Sequence, residues 1–295
     1  MTCRELGVRA ELPPLRRPVR LRDPDLDRSL RRDGYLAVPF LGPDALDDLR
    51  ALWRSIDPGP LMGIWSNVHA CDAATNRRVD DAITAAFRQP AADLFLDGIL
   101  SGGSFLVKGV GEASASTPHQ DWNNVDESIG ESISIWCPLT DVDGDNGALV
   151  VIPGSHRLRP SIRSIDTPSL YLDFTDELEP HLVEVPARAG DAVLYAHNLF
   201  HGSKPNRTGT TRPCVVSGVL PAGVGHLHYR ALGDQRFEAL GIDRRFFMEG
   251  IPELKAGVVP PSAEPGPTVV EPRPTLSLDE VLAGPVRRPF AEEAP

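Results

Sequence analysis

The stretch ISIWCPLTDVDGDNGALVVIPG, residues 133–154, decides the fold. Two short apolar runs of β character flank a cluster of Asp, Asn and Gly, residues that supply turn conformations rather than continue a strand. The same texture extends outward on both sides, in SFLVKGV (104–110), HLVEVPA (181–187), DAVLYAH (191–197) and CVVSGVLPA (214–222). Short strands punctuated by Gly, Pro, Asn and Asp have the spacing of a sandwich or jelly roll.

The half before Ser101 reads differently. Residues 27–53, DRSLRRDGYLAVPFLGPDALDDLRALW, suggest a short helix stopped near Gly34 and an apolar strand from Tyr35 to Phe40. Pro43 and Asp44 then open an amphipathic helix with Leu46, Leu49, Leu52 and Trp53 on one face. Residues 79–100 carry a further helical pattern through Ile83, Phe87, Leu94 and Leu96. The expected organisation is an irregular N-terminal arm over residues 1–25, a single domain over 26–255 and a Pro-rich tail over 256–295 that adds little to the core. Within the domain, the segment Arg157–Glu179 is long for a connection, as segments that cover a site often are.

Composition narrows the function. The chain has 295 residues, a formal charge of −11 and 24% charged residues. An acidic chain of this kind lacks the basic surface of a general nucleic-acid binder. No apolar run is long enough to cross a bilayer and no signal-peptide core precedes the domain, so the expectation is a cytoplasmic protein without membrane contact, monomeric or homodimeric. Cys3, Cys71, Cys137 and Cys214 are scattered, without a CxxC pair, and read as reduced thiols rather than a zinc site or disulfide framework.

Chemistry concentrates in STPHQDWNN, residues 116–124. Residues two apart on a strand point the same way, so His119 and Asp121 can offer an imidazole nitrogen and a carboxylate oxygen to one point. An HxD pair alone occurs by chance in many proteins. A distant strand ends in His201, followed by the turn HGSKPNRTGTTRP and a returning strand near Arg212. Two imidazoles and one carboxylate form the facial triad of non-haem iron(II) oxygenases, with further positions left open.

These pieces together resemble the phytanoyl-CoA dioxygenase family of iron(II)/2-oxoglutarate oxygenases. The resemblance rests on LRRDGYLAVPFLGPDALDDLRALW near the start, HQDW at 119–122, SISIWCPLTDVDGDNGALVVIPGSHRL at 132–158 and HGSKPNRTGTTRP at 201–213, in the family's order. It implies a mainly β double-stranded β-helix (a cupin-like jelly roll) with flanking helices. It also implies His119, Asp121 and His201 as the catalytic iron ligands, with 2-oxoglutarate and O2 as cosubstrates. Arg212 matches the arginine that holds the far carboxylate of 2-oxoglutarate, a task suited to a planar guanidinium fork. Arg207, in the turn, is its rival. Ser203, Trp136 and Ser134 fall where the family lines the cosubstrate pocket.

The implied activity is hydroxylation of an unactivated C–H bond, with release of succinate and CO2. Related halogenases replace the carboxylate ligand by a small residue, and Asp121 retains it, which favours hydroxylation. The substrate is expected to be a small metabolite or natural-product intermediate, since no long basic surface suits coenzyme A. Trp122, Asn123, Asn124 and Trp65 are the candidate substrate contacts. The competing readings are an oxygenase acting on a carrier-bound acyl group or a protein side chain, and a catalytically silent jelly roll that only binds. Among the other histidines, His197 is expected to support the site or pack, and His156 to make a structural hydrogen bond; His226 and His228 follow a core strand and could approach the pocket.

Overall fold

The computed structural model describes residues 17–158 and 161–279. Strand β1 (Arg17–Pro18) leads into helix α1 (Pro24–Asp33), β2 (Tyr35–Pro39), α2 (Pro43–Ile56), β3 (Ile64–Ser66), α3 (Asn67–Ala70) and α4 (Ala73–Leu94). The β-rich half follows: β4 (Gly98–Lys108), β5 (Ser116–His119), β6 (Gly130–Glu131), β7 (Ile133–Pro138), β8 (Leu149–Val151), β9 (Val183–Val185), β10 (Asp191–Ala196), β11 (His201–Ser203) and β12 (Arg212–Pro221). Strands β13 (Leu227–Gly233), β14 (Arg236–Ile242) and β15 (Ala263–Val270) complete the order.

Two sheets face each other. The larger has the order β2-β10-β7-β12-β4-β3 and the smaller β5-β11-β8-β9. The non-consecutive neighbours are those of a jelly roll, the architecture expected from the sequence. Alternation along the strands sorts the core into two layers. On β10, Ala192 and Leu194 join Ile133, Ile135 and Cys137 of β7 on the outer face, where Leu46 and Leu49 of α2 and Val79, Ile83 and Phe87 of α4 cover them. Their sequence neighbours Val193, Tyr195 and Trp136 point the other way, into the space between the sheets, with Leu149, Val151 and Cys214. A register slip of one residue would exchange these faces, so the two-sided burial fixes the pairing.

The helices begin and end where local chemistry dictates. Asp23 caps α1 by accepting from the amides of Asp25 at 2.8 Å and Leu26 at 3.1 Å, Pro24 sits at the first turn, and Gly34 ends it. The helical pattern expected over 79–100 starts earlier, at Ala73 behind the Asp72 cap, and stops at Leu94. Residues 98–108 are strand instead, paired antiparallel with β12, with burial alternating from Gly103 to Val107.

The two ends differ from expectation. Residues 1–16 of the arm lie outside the described residues, but Arg17 and Pro18 pair in parallel with Gly130 and Glu131, and Val19 and Leu21 are buried in the main core. Apolar burial outweighs the surrounding arginines there. At the other end, Ala263–Val270 forms a strand of the sheet β13-β14-β15. Its prolines are compatible with pairing because β15 is an edge strand whose ladder with β14 is interrupted by a bulge. Leu276 and Leu278 then pack against a core of Ile152, Leu158, Tyr171, Leu178 and Phe200, so this part of the tail contributes to the core.

Candidate metal centre and cosubstrate pocket

Strand β5 brings His119 to its end, and β11 begins with His201; the two are direct Cα partners in the antiparallel ladder. Gly202 allows that approach, since a Cβ there would lie 2.6 Å from the carbonyl oxygen of Ser116. The imidazole rings stand 4.6 Å apart between centroids. Asp121 closes the group, with Oδ1 at 3.7 Å from His119 Nε2 and 3.5 Å from His201 Nε2. All three donor atoms lie within 4.8 Å of one another, a set that could hold a metal ion.

Hydrogen bonds orient each member. His119 Nδ1 donates to the Thr117 carbonyl at 2.9 Å and His201 Nδ1 to the Leu199 carbonyl at 3.0 Å. A carbonyl only accepts, so each Nδ1 carries a proton and Nε2 is the nitrogen turned toward Asp121, the arrangement that fixes the ring in metal-binding histidines. Burial pushes the His201 pKa down to about 4 against the opposing pull of Asp121, which keeps the ring neutral at neutral pH. Burial would raise the Asp121 carboxyl, but His201, His197, His119 and the Ser134 hydroxyl outweigh it and hold the group below its ordinary value. The donor set thus offers two imidazole nitrogens and one carboxylate oxygen.

Around the triad, Ser134 donates to Asp121 Oδ2 at 3.2 Å, and the Asp121 amide donates to the His197 carbonyl at 2.7 Å. The Tyr195 ring packs on His201 with centroids 4.3 Å apart. Burial lifts the Tyr195 phenol well above its usual range, so its hydroxyl stays protonated beside Ser134 and Asp121. His197 itself is buried, its Nδ1 2.6 Å from the Ser132 hydroxyl and 3.1 Å from the Asn124 amide, which is the supporting place expected for it. His156 accordingly makes its hydrogen bond to the Arg31 carbonyl, at 3.0 Å.

Deeper between the sheets lies a cationic pair. Arg212 is 4% exposed, its guanidinium 4.9 Å from the Trp136 ring centroid, with Nη2 donating to the Gly147 carbonyl at 3.0 Å and Nη1 to Cys214 Sγ at 3.3 Å. Its Nε is buried without a hydrogen-bond partner. Directly across the ladder from Arg212 is Lys108, 2% exposed, whose ammonium donates to the Ser114 carbonyl. Burial first, and the Arg212 charge second, lower its pKa to about 7. Among the described residues neither cation has a carboxylate partner, an arrangement expensive for a folded protein unless an anion compensates it. Arg207 is spoken for elsewhere, in an exposed ion pair with Glu112.

Lys108 was not singled out by sequence reasoning. Its signal was a lone cation inside the apolar run SFLVKGV, on a strand bound to be buried. Trp136 lies against the Arg212 guanidinium and Ser203 is buried on β11, whereas Ser134 touches the carboxylate of Asp121. A cavity of about 300 Å³ opens beside His119, walled by Trp122, Ile162, Leu170, Phe237 and Pro272 among others. Of the four candidate substrate contacts, only Trp122 faces it. Asn123 is buried with its Oδ1 accepting the Arg163 amide at 2.6 Å, Asn124 binds His197, and Trp65 packs edge-on against Trp53 in the helical core. The rim comes instead from the 161–170 segment, the β13–β14 hairpin and the tail at 271–274. His228 is buried beneath Trp122, with ring centroids 5.6 Å apart.

Comparison with known proteins supplies the lineage. The family model for phytanoyl-CoA dioxygenase (PhyH) matches residues 30–214, more than half of the chain. The chain belongs to that family. Among curated relatives, a phytanoyl-CoA dioxygenase domain-containing protein 1 from Danio rerio is 29% identical over 116 residues, which cover 37% of this family member and 40% of the relative. The dioxygenase cdmD of Talaromyces verruculosus is 36% identical over 90 residues, or 30% of this chain and 26% of that protein. The chain thus matches less than half the length of either relative. A solved structure of the non-heme alpha ketoglutarate dependent carbocyclase SnoK from nogalamycin biosynthesis shares the fold, with a TM-score of 0.54 at 18% identity, covering 84% of this chain and 96% of that one. Among the described residues no helix is long and apolar enough to cross a membrane.

Proposed function

We propose that this chain is an iron(II)- and 2-oxoglutarate-dependent dioxygenase that hydroxylates an unactivated C–H bond of a small metabolite or natural-product intermediate. The observation that carries the reading is the pairing of two features in one sandwich interior: the His119–Asp121–His201 group and the buried cations Arg212 and Lys108, which have no carboxylate partner among the described residues. The first suits a divalent metal that keeps open positions. The second suits the far carboxylate of a dicarboxylic 2-oxo acid, and the open Nε of Arg212 is a donor awaiting an acceptor.

In this reading His119, Asp121 and His201 hold iron(II), their Nε2 and carboxylate oxygens aimed by the Thr117 and Leu199 carbonyls and by Ser134. Bound iron supplies the redox chemistry by which O2 and 2-oxoglutarate become succinate and CO2 while one oxygen atom enters the substrate. The protein's part is geometry and exclusion of water. Arg212 and Lys108 anchor the cosubstrate, Trp136 forms a flat apolar wall under the guanidinium, and Ser203 offers a hydroxyl on the same strand face as His201. Trp122 and the 161–170 segment present the substrate to the His119 side of the site. A cavity of about 300 Å³ is at the scale of small ligands, which favours a small molecule over a protein side chain.

Purified protein supplied with iron(II), ascorbate and 2-oxoglutarate should release succinate in step with consumption of a substrate found by screening metabolites. His119→Ala, Asp121→Ala and His201→Ala should each abolish that turnover. Full activity in any of the three would remove that residue from the ligand set.

A further inference from the structure

Two arginines border the substrate cavity, and they are built differently. Arg273 is an exposed residue of the tail, with Nη2 at 2.8 Å from Asp173 Oδ2. Arg163 is 7% exposed and directs its side chain inward. Its Nε donates to the main-chain carbonyl of Asp121 at 2.6 Å, Nη1 donates to Glu127 Oε2 at 3.0 Å and to the Ser161 carbonyl at 2.9 Å, and Nη2 donates to Glu127 Oε1. The main chain of the same residue is tied to the residue two past the aspartate: the Arg163 amide donates to Asn123 Oδ1 at 2.6 Å, and the Asn123 amide donates to the Arg163 carbonyl at 3.2 Å.

These bonds bracket Asp121. Its amide is held by the His197 carbonyl at 2.7 Å and its carbonyl by Arg163, which leaves only the side-chain torsions, and Ser134 constrains those. Asp121 follows the end of β5 and has no strand partner of its own, so its backbone is placed by these contacts rather than by a sheet ladder. A guanidinium is the group for this task, because two of its nitrogens grip a carboxylate while the third still reaches a carbonyl. Lysine cannot do both.

We infer that Arg163 is a positioning residue for Asp121, joining the wall of the substrate cavity to the metal centre through its bond to the Asp121 carbonyl. The inference rests on the reading of His119, Asp121 and His201 as a metal site. Glu127 serves to orient the guanidinium. Because residues 161–164 also line the cavity, contact with that wall and the placement of the carboxylate ligand are one mechanical unit.

The test uses cobalt(II) as a spectroscopic probe on the full chain, without turnover. Wild type should bind one cobalt with a d–d spectrum that Asp121→Ala alters. Arg163→Met should weaken cobalt affinity about 10- to 100-fold, the usual cost of losing a group that orients a metal ligand, and should change the band shape. Glu127→Gln, which keeps an acceptor for the guanidinium, should keep the wild-type spectrum and lose no more than about threefold in affinity, well below that range. The double variant Arg163→Met/Glu127→Leu removes both charges and so avoids an orphaned carboxylate. It should fold and still bind cobalt weakly. Wild-type affinity and spectrum in the double variant, or equal losses in Glu127→Gln and Arg163→Met, would overturn the positioning role and leave the ion pair a purely structural one. Absence of one-to-one cobalt binding in wild type would overturn the metal-site reading itself, and the role of Arg163 with it.

Discussion

Lys108 gives the cosubstrate assignment its sharpest test. Its ammonium is buried opposite Arg212 and its pKa is lowered to about 7, by burial first and by the neighbouring guanidinium second. An exposed lysine titrates near about 10.4, as the unfolded chain's would. Between these values the unfolded chain holds a proton that the folded chain lacks, so this residue makes the cosubstrate-free protein more stable as pH rises from about 7 toward about 10.

Binding of a dicarboxylate has the opposite sign, because it needs the charged lysine. At pH 6 about nine-tenths of the free protein carries the Lys108 proton and at pH 8 about one-tenth, so 2-oxoglutarate affinity should fall about tenfold over that interval. Calorimetric titration of the metal-loaded protein in two buffers of different ionisation enthalpy measures both the affinity and the proton taken up. Lys108→Met should bind about 10- to 100-fold more weakly at pH 6, the worth of one charge-assisted bond, with a flat profile from pH 6 to 8. A wild-type affinity that does not change over this range, or a slope that survives in Lys108→Met, would refute the reasoning.

Other perturbations follow from the same geometry. Arg212→Met deletes two charge-assisted bonds to the cosubstrate, about 3–5 kcal/mol, so the 2-oxoglutarate dissociation constant should rise by about a hundredfold to a thousandfold or more, while metal affinity in its absence stays unchanged. Gly147→Ala places a Cβ 2.5 Å from Lys108 Cδ and 2.7 Å from the Lys204 carbonyl at a φ of +87°. It should cost about 1–3 kcal/mol in denaturant unfolding and weaken 2-oxoglutarate binding at once. Ending the chain after Val270 removes the Glu271 acceptor of the Ile162 amide, the Arg273–Asp173 pair and the packing of Leu276 and Leu278. Stability should fall by about 2–4 kcal/mol, mostly from the two leucines, and substrate turnover should drop while metal binding is retained.

The fold was readable wherever one face of a strand is buried differently from the other. Ala192 to Tyr195 and Ile133 to Cys137 alternate because the helices cover one side and the second sheet the other, and that period is written in the residues. The metal group was readable because His119 and Asp121 are close in sequence and His201 carries its own Gly-Ser turn. Arg212 and Arg207 share a turn and a strand start, and only burial separates them: one faces Trp136 between the sheets, the other an exposed glutamate. Contacts across long sequence separations were not readable. Arg163 reaches Asp121 from a connection with no periodic pattern, and β15 pairs through proline-bearing sequence because it is an edge strand. Asn123 and Asn124 lie beside the site, but short polar side chains there are as able to hold neighbouring groups as to meet a substrate: Asn123 accepts the Arg163 amide and Asn124 binds the His197 ring.

The most direct test needs no substrate. Iron(II) is titrated anaerobically into the protein, 2-oxoglutarate is then added, and the visible absorption that a 2-oxo acid gives on joining bound iron(II) is recorded. One iron and one 2-oxoglutarate per chain, with the absorption lost in His119→Ala and in His201→Ala, is the result predicted. Wild-type protein that develops no such absorption, or His201→Ala protein that develops it in full, would contradict the account.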